Sequence, residues 1–193
     1  MKNIDKVSIY FVIFLLSVCI YIKKEDFFTN LIVVNSNGYN FKVRDESDKE
    51  QAAQILYNTH RKIDYLCKHL KKNDPNYYGV QRLLKRYNPS ILRELHKNSS
   101  NTSYSVNKGE KLVVCLRSKE DHSLHDENTI FFVVLHELAH IMSKSIGHND
   151  EFWKNFKYLL KHAIKIKIYN YQNFNDNPEY YCGINITDTP HKL

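Results

Sequence analysis

Between residues 7 and 22 the chain reads VSIYFVIFLLSVCIYI, without one charge, bracketed by Lys6 and by Lys23 and Lys24. As a helix this run would reach roughly 24 Å, near the ~30 Å hydrocarbon core, and flanking lysines can snorkel to the interface. It predicts an N-terminal transmembrane helix within residues 1–25, a single-pass membrane anchor of open orientation. The alternative is a cleaved signal peptide, since Ser17 and Cys19 are small enough for a cleavage site. Residues 26–193 then form one domain.

Within that domain, Leu31 to Val43 reads as two short strands around an Asn-rich turn ending in Gly38. Ala52, Ile55, Leu56, Thr59, Ile63, Leu66 and Leu70 then recur every three or four residues, the spacing of one helix face. Val80, Leu83, Leu84 and Tyr87 mark a second helix. In NPSILREL, Asn88 as cap and Pro89 at the first helical position predict a third. Ser103 to Arg117 reads as a hairpin, with its turn at Asn107-Lys108-Gly109 and a β-rich strand from Leu112 to Leu116. A polar loop carrying His122 and His125 follows, both expected to be ordinary exposed histidines. A nearly all-apolar helix comes next, capped by Asn128 or Thr129 and ended by Gly147. A last amphipathic helix runs from Asp150 or Glu151 to about Ile168. The tail after it has no periodicity and is expected to drape over the surface. Together these elements predict an α+β fold.

Composition narrows the class. The chain has 193 residues, 42% hydrophobic and 25% charged, enough for a real core and unlike a disordered segment. Its net charge of +7 admits nucleic acid as a partner, but the lysines are scattered and no run of five like charges occurs. The four cysteines, Cys19, Cys67, Cys115 and Cys182, form no CxxC pair. That excludes a zinc ribbon or thioredoxin-like motif; the thiols are expected to be free and buried, with one disulfide as the alternative.

The chemistry concentrates in VVLHELAHIMSKSIGHNDEFW, Val133 to Trp153. His136 and His140 are four residues apart, so on a helix they differ by about 40° around the axis and can share one metal ion. Glu137 sits one step round, able to act on water without itself ligating. Buried imidazoles need partners, and this helix is too apolar to hold idle ones. A third ligand is sought after the helix: His148 is the leading candidate, with Asp150 and Glu151 as rivals. On a continuous helix His148 would point about 80° away from His140, so a turn has to bring it back. Three protein ligands and one open position characterise catalytic rather than structural zinc.

These segments resemble the WLM family of zinc metallopeptidases, relatives of the SprT and Spartan-type proteases. SVNKGEKLVVCLR, FFVVLHELAH and GHNDEFW carry the resemblance, in that order, over roughly Ser103 to Tyr158. It implies a zincin-like metallopeptidase domain, with helices packed on a small, mostly antiparallel sheet whose edge strand lies along the substrate cleft. It carries the zinc-ligand role onto His136, His140 and His148, and the general-base role onto Glu137.

The expected function is a membrane-anchored, zinc-dependent endopeptidase that hydrolyses peptide bonds with a metal-activated water and Glu137 as base. Its partners are a protein or peptide substrate, held along the strand Leu112 to Leu116, and a membrane through the N-terminal helix. Two alternatives stand beside it: a DNA-associated protease clearing DNA–protein crosslinks, and a non-catalytic zinc-binding module. An additional oxyanion donor is open among Tyr169, Tyr171, Tyr180, Tyr181 and His191.

Overall fold

The structure, a computed structural model, describes residues 8–17 and 30–190. Residues 8–17 form a helix, α1, exposed along its whole length. Ten helical residues span roughly 15 Å, half the hydrocarbon core. Among the described residues no helix is long and apolar enough to cross a membrane. The expected single-pass anchor is therefore corrected; its remaining positions, Val7 and residues 18–22, lie outside the described residues.

The domain begins with strands β1 (Leu31–Ser36) and β2 (Tyr39–Arg44), joined at Asn37-Gly38. Both turn residues take positive φ, 51° and 84°, the backbone that matches strand twist in a two-residue hairpin. Helices α2 (Lys49–Asn73) and α3 (Tyr78–Arg86) follow, then a single 3-10 turn at Pro89–Ile91 and strand β3 (Leu92–Glu94). Next come β4 (Tyr104–Val106), β5 (Lys111–Val114), α4 (Glu127–Met142) and α5 (Asp150–Lys165), and finally β6 (Glu179–Tyr181) and β7 (Ile184–Ile186).

The five-stranded sheet runs β1-β2-β3-β5-β4, with β6 and β7 paired separately. Its outer pairs are antiparallel and its inner pairs, β2–β3 and β3–β5, are parallel. The sheet is thus mixed rather than mostly antiparallel, because the α2–α3 crossover returns the chain beside β2 in the same direction. β5 is paired on both sides, so the expected substrate-holding strand is interior, and the edge belongs to β4.

The stretch NPSILREL departs from its helical reading. Asn88 does cap, accepting from the Ser90 N–H at 3.0 Å, but the helix lasts one turn. Strand pairing takes over because Glu94, itself fully buried, belongs to a polar cluster. Its carboxylate accepts from the Arg44 N–H at 2.7 Å and from Arg117 Nε at 2.8 Å. Arg117 also donates to Asp48 at 2.6 Å, beside the start of α2. Burial pushes the Glu94 carboxyl up, and the hydrogen bond from the Arg44 backbone and the two guanidinium charges oppose that shift.

The tail also departs from its reading. Phe174, Tyr181, Cys182 and Thr189 are buried, and Cys115 is joined to Cys182 by a disulfide across 67 residues. The Tyr181 hydroxyl donates to the Cys115 carbonyl at 2.6 Å. The expectation of free thiols thus holds for buried Cys67 and fails for this pair; Cys19 lies outside the described residues. Strands of three residues are too short to leave a period in the sequence.

Truncating Arg117 would strand the Glu94 carboxylate in the core. Arg117→Ala is expected to lower the unfolding free energy by about 3–5 kcal/mol, whereas Lys68→Ala, at an exposed i,i+4 pair with Asp64, should cost under about 1 kcal/mol. Urea unfolding of both variants beside the parent measures the contrast.

Candidate metal centre

Helix α4 begins at Asp126, whose carboxylate accepts from the N–H groups of Asn128 and Thr129 at 2.8 and 2.9 Å. The cap lies two to three residues before Asn128 or Thr129, the positions expected from sequence. The helix is buried on most sides, which fixes its rotation and sets His136 and His140 on one face, their ring centroids 5.0 Å apart.

Its other end is decided by tertiary contacts. α4 stops at Met142, not at Gly147. Ser143 is fully buried and extended; its hydroxyl donates to the Ala139 carbonyl at 2.8 Å and accepts from Asn155 of α5 at 2.8 Å. Tyr77 closes this polar chain by donating to Asn155 at 2.6 Å. The amides of Lys144 and Ser145 donate to Glu151 rather than to carbonyls of α4, so the ladder ends there.

Residues 143–149 then reverse direction around Glu151. Its carboxylate accepts from the N–H of Lys144 at 2.9 Å, from the N–H of Ser145 at 3.0 Å and from the Ser145 hydroxyl at 2.5 Å. These bonds hold the carboxyl down at about 2. Lys108 Nζ donates to the Ser145 carbonyl and Arg82 to the Ser143 carbonyl, which fixes the outside of the loop. Gly147, at φ 83°, supplies the left-handed step just before His148. Asn149 caps α5 by accepting from the Phe152 N–H at 3.2 Å.

The reversal brings three imidazoles together. His148 Nε2 lies 3.0 Å from His136 Nε2 and 3.1 Å from His140 Nε2. Phe152, fully buried, packs against all three rings at centroid distances of 4.7, 4.3 and 4.6 Å. One nitrogen facing two others cannot satisfy both with a single proton or lone pair. A cation accepting three lone pairs satisfies all of them. Among the described residues this is the group of His, Cys, Asp and Glu side chains able to hold a metal ion. Imidazole donors suit a transition metal rather than calcium or magnesium, which take oxygen.

The electrostatics favour the same use. Burial, then the neighbouring imidazoles, push His136 down to about 3. Burial, then His148 and Lys108, push His140 down to about 4. Both rings are therefore neutral at pH 7, the form a metal requires. Glu137 is 6% exposed. Burial pushes its carboxyl up to about 7, against hydrogen bonding from Ser105 of the edge strand β4.

The rival ligands are elsewhere: Glu151 is committed to the loop, and Asp150 is exposed at the start of α5. His125 Nε2 accepts from the Cys182 N–H at 3.1 Å, and His122 lies outside the cluster. Of the tyrosines, Tyr181 is engaged with Cys115, Tyr169 is buried with its hydroxyl unpartnered, and Tyr171 and Tyr180 are exposed. His191 lies outside the described residues. Sequence reading missed the loop-holding role of Glu151; its one signal was an acid in the first turn of a helix whose N-terminal amides favour it.

A model of the WLM domain family matches residues 37–191. The uncharacterized protein R325 of Acanthamoeba polyphaga mimivirus is 32% identical over 152 residues, covering 77% of each chain. Uncharacterized protein 136R of Invertebrate iridescent virus 6 is 27% identical over 125 residues, 64% of this chain and 68% of that one. Among solved structures, Wss1 from Saccharomyces cerevisiae matches with a TM-score of 0.51 and 22% identity, covering 65% of this chain and 88% of that chain. This last likeness is one of fold.

Loop and ligand roles separate by mutation. His148→Ala is expected to abolish tight binding of one divalent transition ion. Glu151→Ala should weaken it by roughly 10–100-fold, the usual effect of losing a group that orients ligands, and Asp150→Ala should leave it unchanged. Competition titration with a chromogenic chelator reads all three; unchanged affinity in Glu151→Ala would refute the loop role.

Proposed function

The chain belongs to the WLM domain family, and from that premise we propose that it is a zinc-dependent endopeptidase. The observation that carries the reading is the convergence of three histidine Nε2 atoms beside a buried carboxylic acid on the helix that carries two of them. The donor set fits zinc: tetrahedral ligands at about 2.0–2.1 Å stand roughly 3.3 Å apart, close to the 3.0 and 3.1 Å separations here. Three protein ligands leave one position open, the arrangement of catalytic sites. When bound, zinc supplies Lewis acidity, polarising a peptide carbonyl and lowering the pKa of water in the cleft.

In this reading His136, His140 and His148 hold the ion, and Glu137 does the proton work. Its carboxylate takes a proton from the attacking water and delivers it to the departing amide nitrogen. A carboxyl lifted towards neutrality by burial is suited to both halves of that task. The outer edge of β4 runs past Glu137, to which Ser105 is hydrogen-bonded through both backbone and side chain, and an extended substrate would lie along that edge. A purely structural zinc module would have no use for Glu137. A nucleic-acid partner finds little support in the cations around the loop, since Arg82 and Arg86 are spent on main-chain carbonyls.

Glu137→Gln should retain bound zinc while peptide hydrolysis falls by about 10²–10⁴-fold. His140→Ala should lose metal and activity together. The measurement is bound zinc and turnover of an unfolded protein substrate, with and without DNA. A parent that holds zinc yet cleaves nothing in either condition would refute the reading, and turnover seen only with DNA would replace it with a DNA-associated protease.

A further inference from the structure

Three triplets in the domain have the form that accepts an N-linked glycan: Asn98-Ser99-Ser100, Asn101-Thr102-Ser103 and Asn185-Ile186-Thr187. A fourth, Asn88-Pro89-Ser90, is barred by its proline, and there Asn88 caps the 3-10 turn. In a chain so rich in asparagine the triplet alone decides nothing. The work each side chain does in the fold separates them.

Many asparagine carboxamides here are structural. Asn155 donates to the Ser143 hydroxyl at 2.8 Å, Asn128 to the Asn170 carbonyl at 2.8 Å and Asn58 to Glu127 at 3.1 Å. Asn98 and Asn185 differ. Asn98 is exposed in the turn that the Ser99 N–H closes on the His96 carbonyl at 3.2 Å. Asn185 is exposed in the middle of β7. Strand alternation sets it on the face opposite Ile186, which packs against the core. Among the described residues neither carboxamide makes a hydrogen bond, and neither do the exposed hydroxyls of Ser100 and Thr187. The fold makes no use of either triplet. It does use the third: Ser103 is buried, paired with the Tyr181 hydroxyl at 2.9 Å and accepting from the Cys115 N–H at 3.0 Å. That serine is required for packing, so its triplet carries no inference.

The disulfide points independently to the compartment in which such glycans are attached. Cys115 and Cys182 are joined and fully buried, and Cys67 is buried too, so no described cysteine presents a thiol to solvent. Disulfides form and persist in oxidising compartments such as the lumen of the endoplasmic reticulum, and are rare in the cytosol.

We propose that Asn98 and Asn185 each carry an N-linked glycan, added in the oxidising secretory lumen where Cys115 and Cys182 are joined. The donor is an oligosaccharide linked to a polyprenyl pyrophosphate. Asparagine Nδ2 forms a bond to the anomeric carbon, and the carbon–oxygen bond to the pyrophosphate breaks. The pyrophosphate leaves with the electron pair, and one Nδ2 proton is released. In the same lumen the two thiols give up two electrons and two protons to a disulfide oxidant. A glycan is bulky and solvated; at these two positions it displaces no hydrogen bond of the folded domain. The proposal is independent of proteolytic activity.

The full chain produced in a eukaryotic cell tests it. Treatment with a peptide N-glycosidase should increase electrophoretic mobility, and mass spectrometry should find Asn98 and Asn185 converted to aspartate by that treatment. Asn98→Gln and Asn185→Gln should each remove one step of the shift. Ser100→Ala and Thr187→Ala should do the same while leaving both asparagines in place, which separates loss of the acceptor triplet from loss of the side chain. Alkylation of the unfolded, unreduced chain should label Cys67 but neither Cys115 nor Cys182 until reductant is added. Absence of a glycan from either Asn98 or Asn185, or a glycan confined to Asn101, overturns the assignment. Cys115 and Cys182 labelled without reductant overturn the compartment on which it rests.

Discussion

The carboxylate of Glu151 closes the chain reversal on which the centre depends. Two of the three imidazoles come without effort, because four residues of α-helix return a side chain to nearly the same face. The third does not. A helix continued through residue 148 would aim His148 well away from His140. The chain instead leaves the helix at Ser143, and Glu151 accepts from Lys144 and Ser145 within one short loop. Hydrogen bonds to a charged acceptor are stronger than neutral ones, so a loop of small and polar residues is held as firmly as a helix end. Phe152 then enters from the same helix and backs all three rings.

Burial of α4 is the second determinant, and it acts on the two kinds of titrating group in opposite directions. Removing water disfavours whichever form carries charge. His136 and His140 are therefore pushed down and stay neutral, while the Glu137 carboxyl is pushed up. One apolar environment thus yields both lone pairs for a cation and a carboxyl near neutrality. The apolar character of the helix, which looks like ordinary core packing, is part of the chemistry of the site.

The periphery is organised by long-range ties. Glu94, Arg117, Arg44 and Asp48 join β2, β3 and the start of α2 to the chain beyond β5 through a buried charge cluster. The disulfide and Tyr181 pin the final hairpin against the same end of β5. Because β5 is paired on both sides, it cannot take a further strand. β4, outside it, presents the open edge and brings Ser105 to Glu137. The edge of β4 therefore borders the centre, and residues of the tail line a cavity beside it.

What the sequence determined by itself was whatever depends on near neighbours. Helix periodicity in α2, α3 and α5, the apolar run of α4, the Asn37-Gly38 and Asn107-Gly109 turns, and the HELAH spacing of His136, Glu137 and His140 all express contacts within a few residues. The direction of β3, the stop at Ser143, the work of Glu151 and the pairing of Cys115 with Cys182 lay beyond it. Each involves a partner that no local pattern marks: β2 and β5 for β3, Asn155 for Ser143, the tail for Cys115, and, for Glu151, the amides of Lys144 and Ser145 across the loop. The N-terminal apolar run shows the same division, since composition alone suggested a membrane span that the described ten-residue helix is too short to provide. Local sequence sets propensity and spacing; the closing of distant polar groups and apolar walls against one another is decided only when the chain packs.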